Sequence, residues 1–481
     1  MGERPVSPAS LVASCLYQCT GTYRIHSLIQ TPMTVSLHRM NGVKPIIKTT
    51  LATAVLAATM TAMPAQAQAS DGVLQQALGS TLADTGIKVR GWAQVGVIAN
   101  NNSTDDVSKQ AFLNSEEGAN LNQLALMIEK PLKSNLLTRI TPTPAPMPTE
   151  MDWGFTLTTI YGKDAQFFIT DGLDDDFGVN ADGDTSDEAF TLTQGFLEFY
   201  FPVLGGSNLM LGLFHTPLEN EIGFAEPAPA PTDFYSRSYA FMHGPAKHAG
   251  ALYAFKLPSA AGESLLGAEI GLVRGWNNLQ ERNGDLDLIA NLRWRSADMK
   301  SWIDWENIVG NGASDSFASC GCGSPYPAIP DADGDARRYA SYLTYSRVLD
   351  ASNRIALEMT AGEQENAALN GGADAQWYGV NLNWYHRLSE QLVWNSRLEW
   401  FNSEDPANVV MTGAAAGKPP GQWSSGQFYA LTTNVSWYPM PSVRVRPELR
   451  YDIQHSDGPD AFANGSRDRQ LIASLDATFY F

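Results

Sequence analysis

Few of the 481 residues are arranged as chemistry would need them. Ser236 and Ser238 stand near His243 and His248, the residue types of a nucleophile and its base, but no third group orients the pair. No G-x-S-x-G elbow, H-E-x-x-H or phosphate loop is present in the exported part, and the seven His are scattered. Asn180, Asp182 and Asp184 offer oxygens at alternate positions, as a calcium loop does, and 331–335 reads Asp-Ala-Asp-Gly-Asp. Neither run has the Gly at position six or the Glu at position twelve of an EF-hand loop, so a solvated acidic loop is the plainer reading. Bridging of lipopolysaccharide phosphates by divalent ions is a weaker reading of the same loops. Cys320-Gly321-Cys322 could close a tight local disulfide, although that spacing strains the preferred Cα separation. No enzyme activity, cofactor or metal is therefore expected, with Asn180, Asp182 and Asp184 kept as weak calcium candidates.

The elements that must carry these residues are strands. Asp and Glu outnumber Lys and Arg, 51 to 32, which disfavours a nucleic-acid partner. Charged residues make up only 17 % of the chain, and Gly and aromatic residues are abundant. The start reads as an address. Lys44 and Lys48, a short apolar run from Leu51 to Met63 and the Ala65-Gln66-Ala67-Gln68-Ala69 motif resemble a Sec signal cut near Ala67 or Ala69. Residues 1–39 lie upstream of that signal, as an early start assignment would place them, with Met33 or Met40 the true start. Loss of the leader removes five basic residues and one acidic one, taking the net charge from −19 to −23. The expected organisation is thus 1–39 as upstream extension, 40–69 as signal peptide, 70–85 as a short periplasmic segment and 86–481 as one β domain.

Alternation of period two runs through that domain. In 471–481 every odd position is apolar, while Ser474, Asp476 and Thr478 lie between. Leu398 and Trp400 oppose Arg397 and Glu399, and Leu449 and Tyr451 oppose Arg450 and Asp452. A soluble sandwich alternates too, but its strands are shorter than these runs, which approach the length that crosses a bilayer at a tilt. Trp92, Trp153, Trp294, Trp377, Trp437, Tyr438, Phe479 and Phe481 fall near run ends, where an interfacial girdle would sit. Sixteen runs can be counted from 86–98 to 469–481, separated by alternately long and short gaps. This predicts an all-β, antiparallel, up-and-down transmembrane barrel with short periplasmic turns and long external loops. One gap fits poorly: the Pro-rich stretch 132–150 becomes an oversized inner turn.

A barrel of that size can hold water. Arg293, Arg295, Arg387, Arg397, Glu399, Arg444, Arg446, Glu448 and Arg450 fall on the polar face and are expected to line a solvated lumen. The longest loop, 217–246, is stiffened by prolines and rich in aromatics. Folded inward, it would narrow the pore and bring Glu219, Glu221, Asp233 and Arg237 to the constriction. Lying over the rim is the other possibility.

Several blocks resemble a known family. Phe196-Leu-Glu198-Phe-Tyr, Gly212-Leu-Phe214-His-Thr216-Pro217, Phe234-Tyr235-Ser236-Arg237-Ser238-Tyr239, His248-Ala-Gly250, Asn122-Gln-Leu and Asp152-Trp153-Gly154 are similar to β-barrel porins of the OmpL-like kind. The resemblance covers most of 86–481 and implies an outer-membrane diffusion channel for small hydrophilic solutes, with no catalytic residues to carry over. The acidic loops and the Cys-Gly-Cys insertion lie outside it. The partners expected are outer-membrane lipid and lipopolysaccharide, small hydrophilic solutes, a second copy of the chain in a homo-oligomer, and the assembly machinery that reads a C-terminal strand ending in Phe481. The competing readings are a secreted β-sandwich or lectin-like binding protein and a surface adhesin on a plugged barrel.

Overall fold

In the computed structural model the described residues are 73–78, 82, 84–102, 118–137, 139–170, 172–174, 188–221, 232–242, 244–260, 263–279, 284–311, 337–367, 373–403, 425–456, 460–463 and 466–481. The proposed upstream extension and signal peptide lie outside them, as do Asn180, Asp182, Asp184, Cys320, Cys322 and His243.

Sixteen strands form one closed antiparallel barrel. They are β1 (Lys88–Asn100), β2 (Gly118–Lys130), β3 (Asp152–Gly162), β4 (Ala189–Phe201), β5 (Ser207–His215), β6 (Lys247–Lys256), β7 (Leu265–Val273) and β8 (Asp287–Arg295) in the first half. The second half comprises β9 (Ser301–Gly310), β10 (Arg338–Val348), β11 (Asn353–Ala367), β12 (Ala373–Arg387), β13 (Leu392–Ser403), β14 (Gly426–Met440), β15 (Val443–His455) and β16 (Arg469–Tyr480). Each strand pairs with its sequence neighbours, and β1 closes the cylinder on β16 through pairs such as Trp92 with Tyr480. The C-terminal Phe481 completes the seam: its N–H donates to the Gly91 carbonyl at 2.9 Å, and its carbonyl accepts from the Gly91 N–H at 2.8 Å. Closure leaves no unpaired edge, the condition that hydrocarbon imposes on a sheet.

The two faces of the wall are inverted relative to a water-soluble protein. Leu398 is 52 % exposed on the outside, whereas its neighbours Arg397 and Glu399 are buried inside. Leu431, Leu449, Leu382, Ile270 and Leu475 are likewise exposed outward, and Thr432, Arg450, Asn381, Glu269 and Asp476 are buried inward. Such a surface is stable against lipid and ruinous in water. Trp153 and Trp437 stand on the outside as a girdle requires. Trp92 and Trp377 do not: both are buried toward the lumen, and the Trp92 indole donates to Gln123 Oε1 at 2.8 Å. A position near a run end fixes depth but not face. Pro447 sits within β15 where the pairing to β14 lapses between Asn434–Glu448 and Trp437–Val445, as a residue without an N–H requires.

Within the long stretch 131–151, Leu136, Ile140 and Pro142 tuck into the barrel. Leu136–Leu137 and Thr141–Pro142 pair as a short antiparallel ladder of two-residue strands, and Leu136 and Ile140 are buried among Phe196, Met210, Leu252 and Ala254. Arg139 between them donates to Glu198 at 3.0 Å and Thr156 at 2.9 Å, while its carbonyl accepts from Asn208 at 2.7 Å. Lys256 donates to the Thr143 carbonyl at 2.7 Å. At the same end, helix α1 (Val73–Leu78) touches the wall through Gln75, which accepts from the Val89 N–H at 2.7 Å.

Candidate functional site

The described residues of the connection from β5 to β6 lie inside the barrel. Its first residues cross toward β8, β9 and β11. The Glu219 N–H donates to Glu306 at 3.0 Å, the Asn220 N–H to Glu358 at 2.6 Å, and Arg293 donates to the Pro217 carbonyl at 2.8 Å. Glu219 adopts a φ of 76°, a left-handed conformation that costs a residue with a Cβ about 1–2 kcal/mol. Its carboxyl is buried, and burial pushes its pKa well above the usual range, helped by the like charges of Glu358, Glu221 and Glu306.

The returning segment, 232–239, climbs the inner face of β15 as a strap. Arg444 and Arg446 donate to the Thr232 carbonyl. Glu448 accepts the N–H groups of Tyr235 and Ser236, each at 2.8 Å. Arg450 donates to the Arg237 carbonyl at 2.8 Å, and Asp452 accepts the Tyr239 hydroxyl at 2.9 Å. Every second residue of β15 therefore serves the next stretch of strap, since side chains on one face recur every two positions. β13 and β14 add to this: Glu399 accepts the Tyr239 N–H at 2.9 Å, and Asn395 and Asn434 donate to the Asp233 carbonyl at 3.3 and 3.1 Å. A buried loop needs a partner for each backbone polar group, and the wall supplies carboxylates for its N–H groups and guanidinium or amide groups for its carbonyls.

Side-chain packing completes the seat. Arg397 lies over the Phe234 ring at 4.6 Å, Arg446 over Tyr235 at 5.8 Å and Arg450 over Tyr239 at 5.0 Å. Helix α2 (Tyr239–Met242) follows, with Tyr239 ring centroids 5.2 Å from Phe428 and 6.1 Å from Phe401. Tyr235 reaches across to β2, where its hydroxyl donates to Asn122 at 2.8 Å. Gly96 opposite makes room: a Cβ there would lie 2.2 Å from that hydroxyl.

The wall charges expected to meet water are engaged with protein instead. Arg397 pairs with Glu399 at 2.8 Å and with Glu221, Arg450 with Asp452 at 2.8 Å and Glu399 at 3.0 Å, and Arg446 with Asp476 at 2.7 Å. Arg293 joins Glu306 at 2.8 Å and also Glu269, and Arg295 joins Asp304. All of these arginines are buried. Arg387 alone among the nine is exposed, at the end of β12. Of the four loop residues, Arg237 is buried and donates to the Phe234 carbonyl at 3.1 Å, and burial lowers its pKa despite Glu221 and Asp164 nearby. Glu221 accepts from Arg397 and from the Ser238 N–H. Asp233 is exposed, with Arg354 at 3.5 Å.

Arg354 was not among the residues read from the sequence, nor were Glu306, Glu358, Asp452 and Asp476 as strap or pair partners. Their signal was available, since each lies on the inward parity of its strand. Ser236 and Ser238 do not meet His248 as a hydrolytic pair would. His248 contacts the Gly275 carbonyl at 2.8 Å and the Thr216 hydroxyl at 3.0 Å, so its ring donates to the first and accepts from the second. The Ser236 hydroxyl accepts from Arg397 at 3.3 Å, and that of Ser238 from the Phe241 N–H at 3.1 Å. Among the described residues no group of three or more His, Cys, Asp or Glu is placed to hold a metal ion.

A family model described as putative beta-barrel porin-2, OmpL-like, matches residues 86–481. No curated protein sequence matches the chain. Among solved structures it resembles OprB of Pseudomonas putida at high pH, with a TM-score of 0.50 and 13 % identity over 86 % of this chain and 99 % of that one. It also resembles an anion-selective porin from Comamonas acidovorans (TM-score 0.49, 8 % identity, 82 % and 99 % covered) and the outer membrane channel DcaP of Acinetobacter baumannii (0.48, 10 %, 82 % and 97 %). At such identities the likeness to OprB speaks to fold alone.

Proposed function

This chain belongs to the family described as putative beta-barrel porin-2, OmpL-like, and on that premise we propose passive diffusion of small hydrophilic solutes and ions as its mode of action. It is a porin of the outer membrane. The observation that carries the finer reading is the inverted wall: leucines outward toward lipid, with arginines, carboxylates and amides turned inward around a loop they hold. Such a molecule performs no bond chemistry; it sorts solutes by width and by fixed charge. The same reading has the leader direct Sec export and be cleaved, and has the strand ending in Phe481 recognised by the outer-membrane assembly machinery.

Purified, leader-free protein refolded into planar bilayers tests this. Discrete, ohmic conductance steps in potassium chloride are expected. Folded, heat-modifiable protein that inserts yet gives no conductance would overturn the diffusion reading in favour of a plugged barrel whose external loops act as an adhesin.

A further inference from the structure

We propose that the fixed charges a permeating ion meets in this porin are Asp233 of the strap and Arg354 of β11, a balanced pair, and not the row of arginines on β13 and β15. The inference rests on the diffusion reading and concerns which charges a solute meets.

A fixed charge acts on a passing ion to the extent that water reaches it, and a charge buried against its counter-charge presents almost nothing to the lumen. Arg397, Arg446 and Arg450 fail on both counts. Their side chains are wholly buried, each is in contact with at least one carboxylate, and each spends further donors on strap carbonyls. Arg293 and Arg295 are tied up in the same way on the far wall with Glu269, Glu306 and Asp304. Two of the four loop candidates, Glu219 and Arg237, are buried. Glu221 is 10 % exposed and paired.

Asp233 and Arg354 differ from all of these. Their side chains retain 51 % and 33 % of their exposure, and the separation of 3.5 Å is longer than that of most buried pairs. Both are nevertheless held in place. Two amides, from Asn395 and Asn434, grip the Asp233 carbonyl, so its carboxylate is presented from a fixed backbone. Arg354 stacks on the Tyr385 ring with 3.8 Å to the centroid, which fixes the guanidinium plane while leaving its edge in water. Arg354 is the second residue of β11, next to the short turn 349–352, and the strap comes down to that depth at Asp233. The solute site so formed offers one anchored carboxylate and one anchored guanidinium, side by side and hydrated. Removing either one changes the net charge that the site presents.

Reversal potentials across a bilayer in asymmetric potassium chloride read this directly. Relative to the unmodified protein, Asp233→Asn should move the cation-to-anion permeability ratio toward anions by about two- to fivefold, and Arg354→Gln toward cations by a similar factor. The double variant should return near the starting ratio. Arg354→Lys, which keeps the charge and loses the stacked plane, should shift little. Heat modifiability on gels reports folding of each variant, and Asp233→Asn, on an exposed loop side chain, tests the idea even if an Arg354 variant does not fold. Conducting channels whose ratio is unmoved by Asp233→Asn would overturn the assignment. Absence of conductance in the unmodified protein would instead overturn the diffusion reading itself.

Discussion

The carboxylate of Glu448 on β15 accepts the Tyr235 N–H at 2.8 Å, binding a wall strand to a loop that leaves the sheet more than two hundred residues earlier. Its other oxygen takes the Ser236 N–H, and Asn434 donates to the same group at 2.9 Å. Glu448→Ala leaves buried N–H groups without an acceptor, at about 1–3 kcal/mol each. The barrel ladder is untouched by that change. Heat modifiability should therefore persist, while single-channel conductance rises or becomes noisier as the strap loosens. Unchanged conductance and noise would show that the strap does not limit flow.

The surroundings of Glu219 favour its neutral form. Its pKa lies well above the usual range because burial, and then the neighbouring carboxylates, disfavour its charge. Glu219→Gln is nearly isosteric with that neutral acid. Folding and reversal potential should both stay close to those of the unmodified protein. A selectivity shift as large as that expected for Asp233→Asn would mean that Glu219 is ionised and wet.

Asp164 lies beyond the outer end of β3, buried, where Gln123 donates to it at 2.8 Å and Asn122 at 3.3 Å. Burial raises its pKa from 3.8 to about 6, against the pull of those donors. A raised acid binds its proton more tightly when folded, so stability is greatest below pH 3.8 and falls as pH climbs toward 6. The two-unit shift corresponds to about 3 kcal/mol. Thermal midpoints in detergent should decline between pH 4 and pH 6.5 and then level off, and Asp164→Asn should flatten that part of the curve. An identical slope in the variant would assign the pH dependence to other groups.

Leu398, at the middle of β13, points outward between Leu382 and Leu431. Leu398→Arg places a charge on the lipid face at an expected cost of about 2–4 kcal/mol. Folding yield in phospholipid vesicles should drop sharply, with less of the compact, fast-migrating gel band. Full yield would argue that this face is not in hydrocarbon.

Much of the wall was legible because a strand has only two faces, and a lipid-facing side declares itself at each odd or even position. Leu398 against Arg397, and Leu475 against Asp476, needed nothing but parity. Trp92 and Trp377 were misassigned because aromatic type outweighed parity in reading them, and their buried indoles follow the strand. The interior was far less legible. Arg450 reads as a charge on a wet wall until one knows that Arg237, separated from it by most of the barrel, comes to lie on top of it. No local pattern encodes which loop returns to which strand. The tuck at 131–151 was marked only by its excess length, and its reason, Leu136 and Ile140 seeking an apolar seat among Phe196 and Met210, depends on contacts between distant strands.

The strap leaves the wall after β5, yet most of the residues that seat it belong to β13, β14 and β15, close to the end of the chain. Its anchors therefore do not exist in one place until the C-terminal staves have joined the cylinder. The strap is a late furnishing, set only when the circle is shut, and a barrel lacking its last staves would leave a ribbon of backbone amides with no wall to dock on.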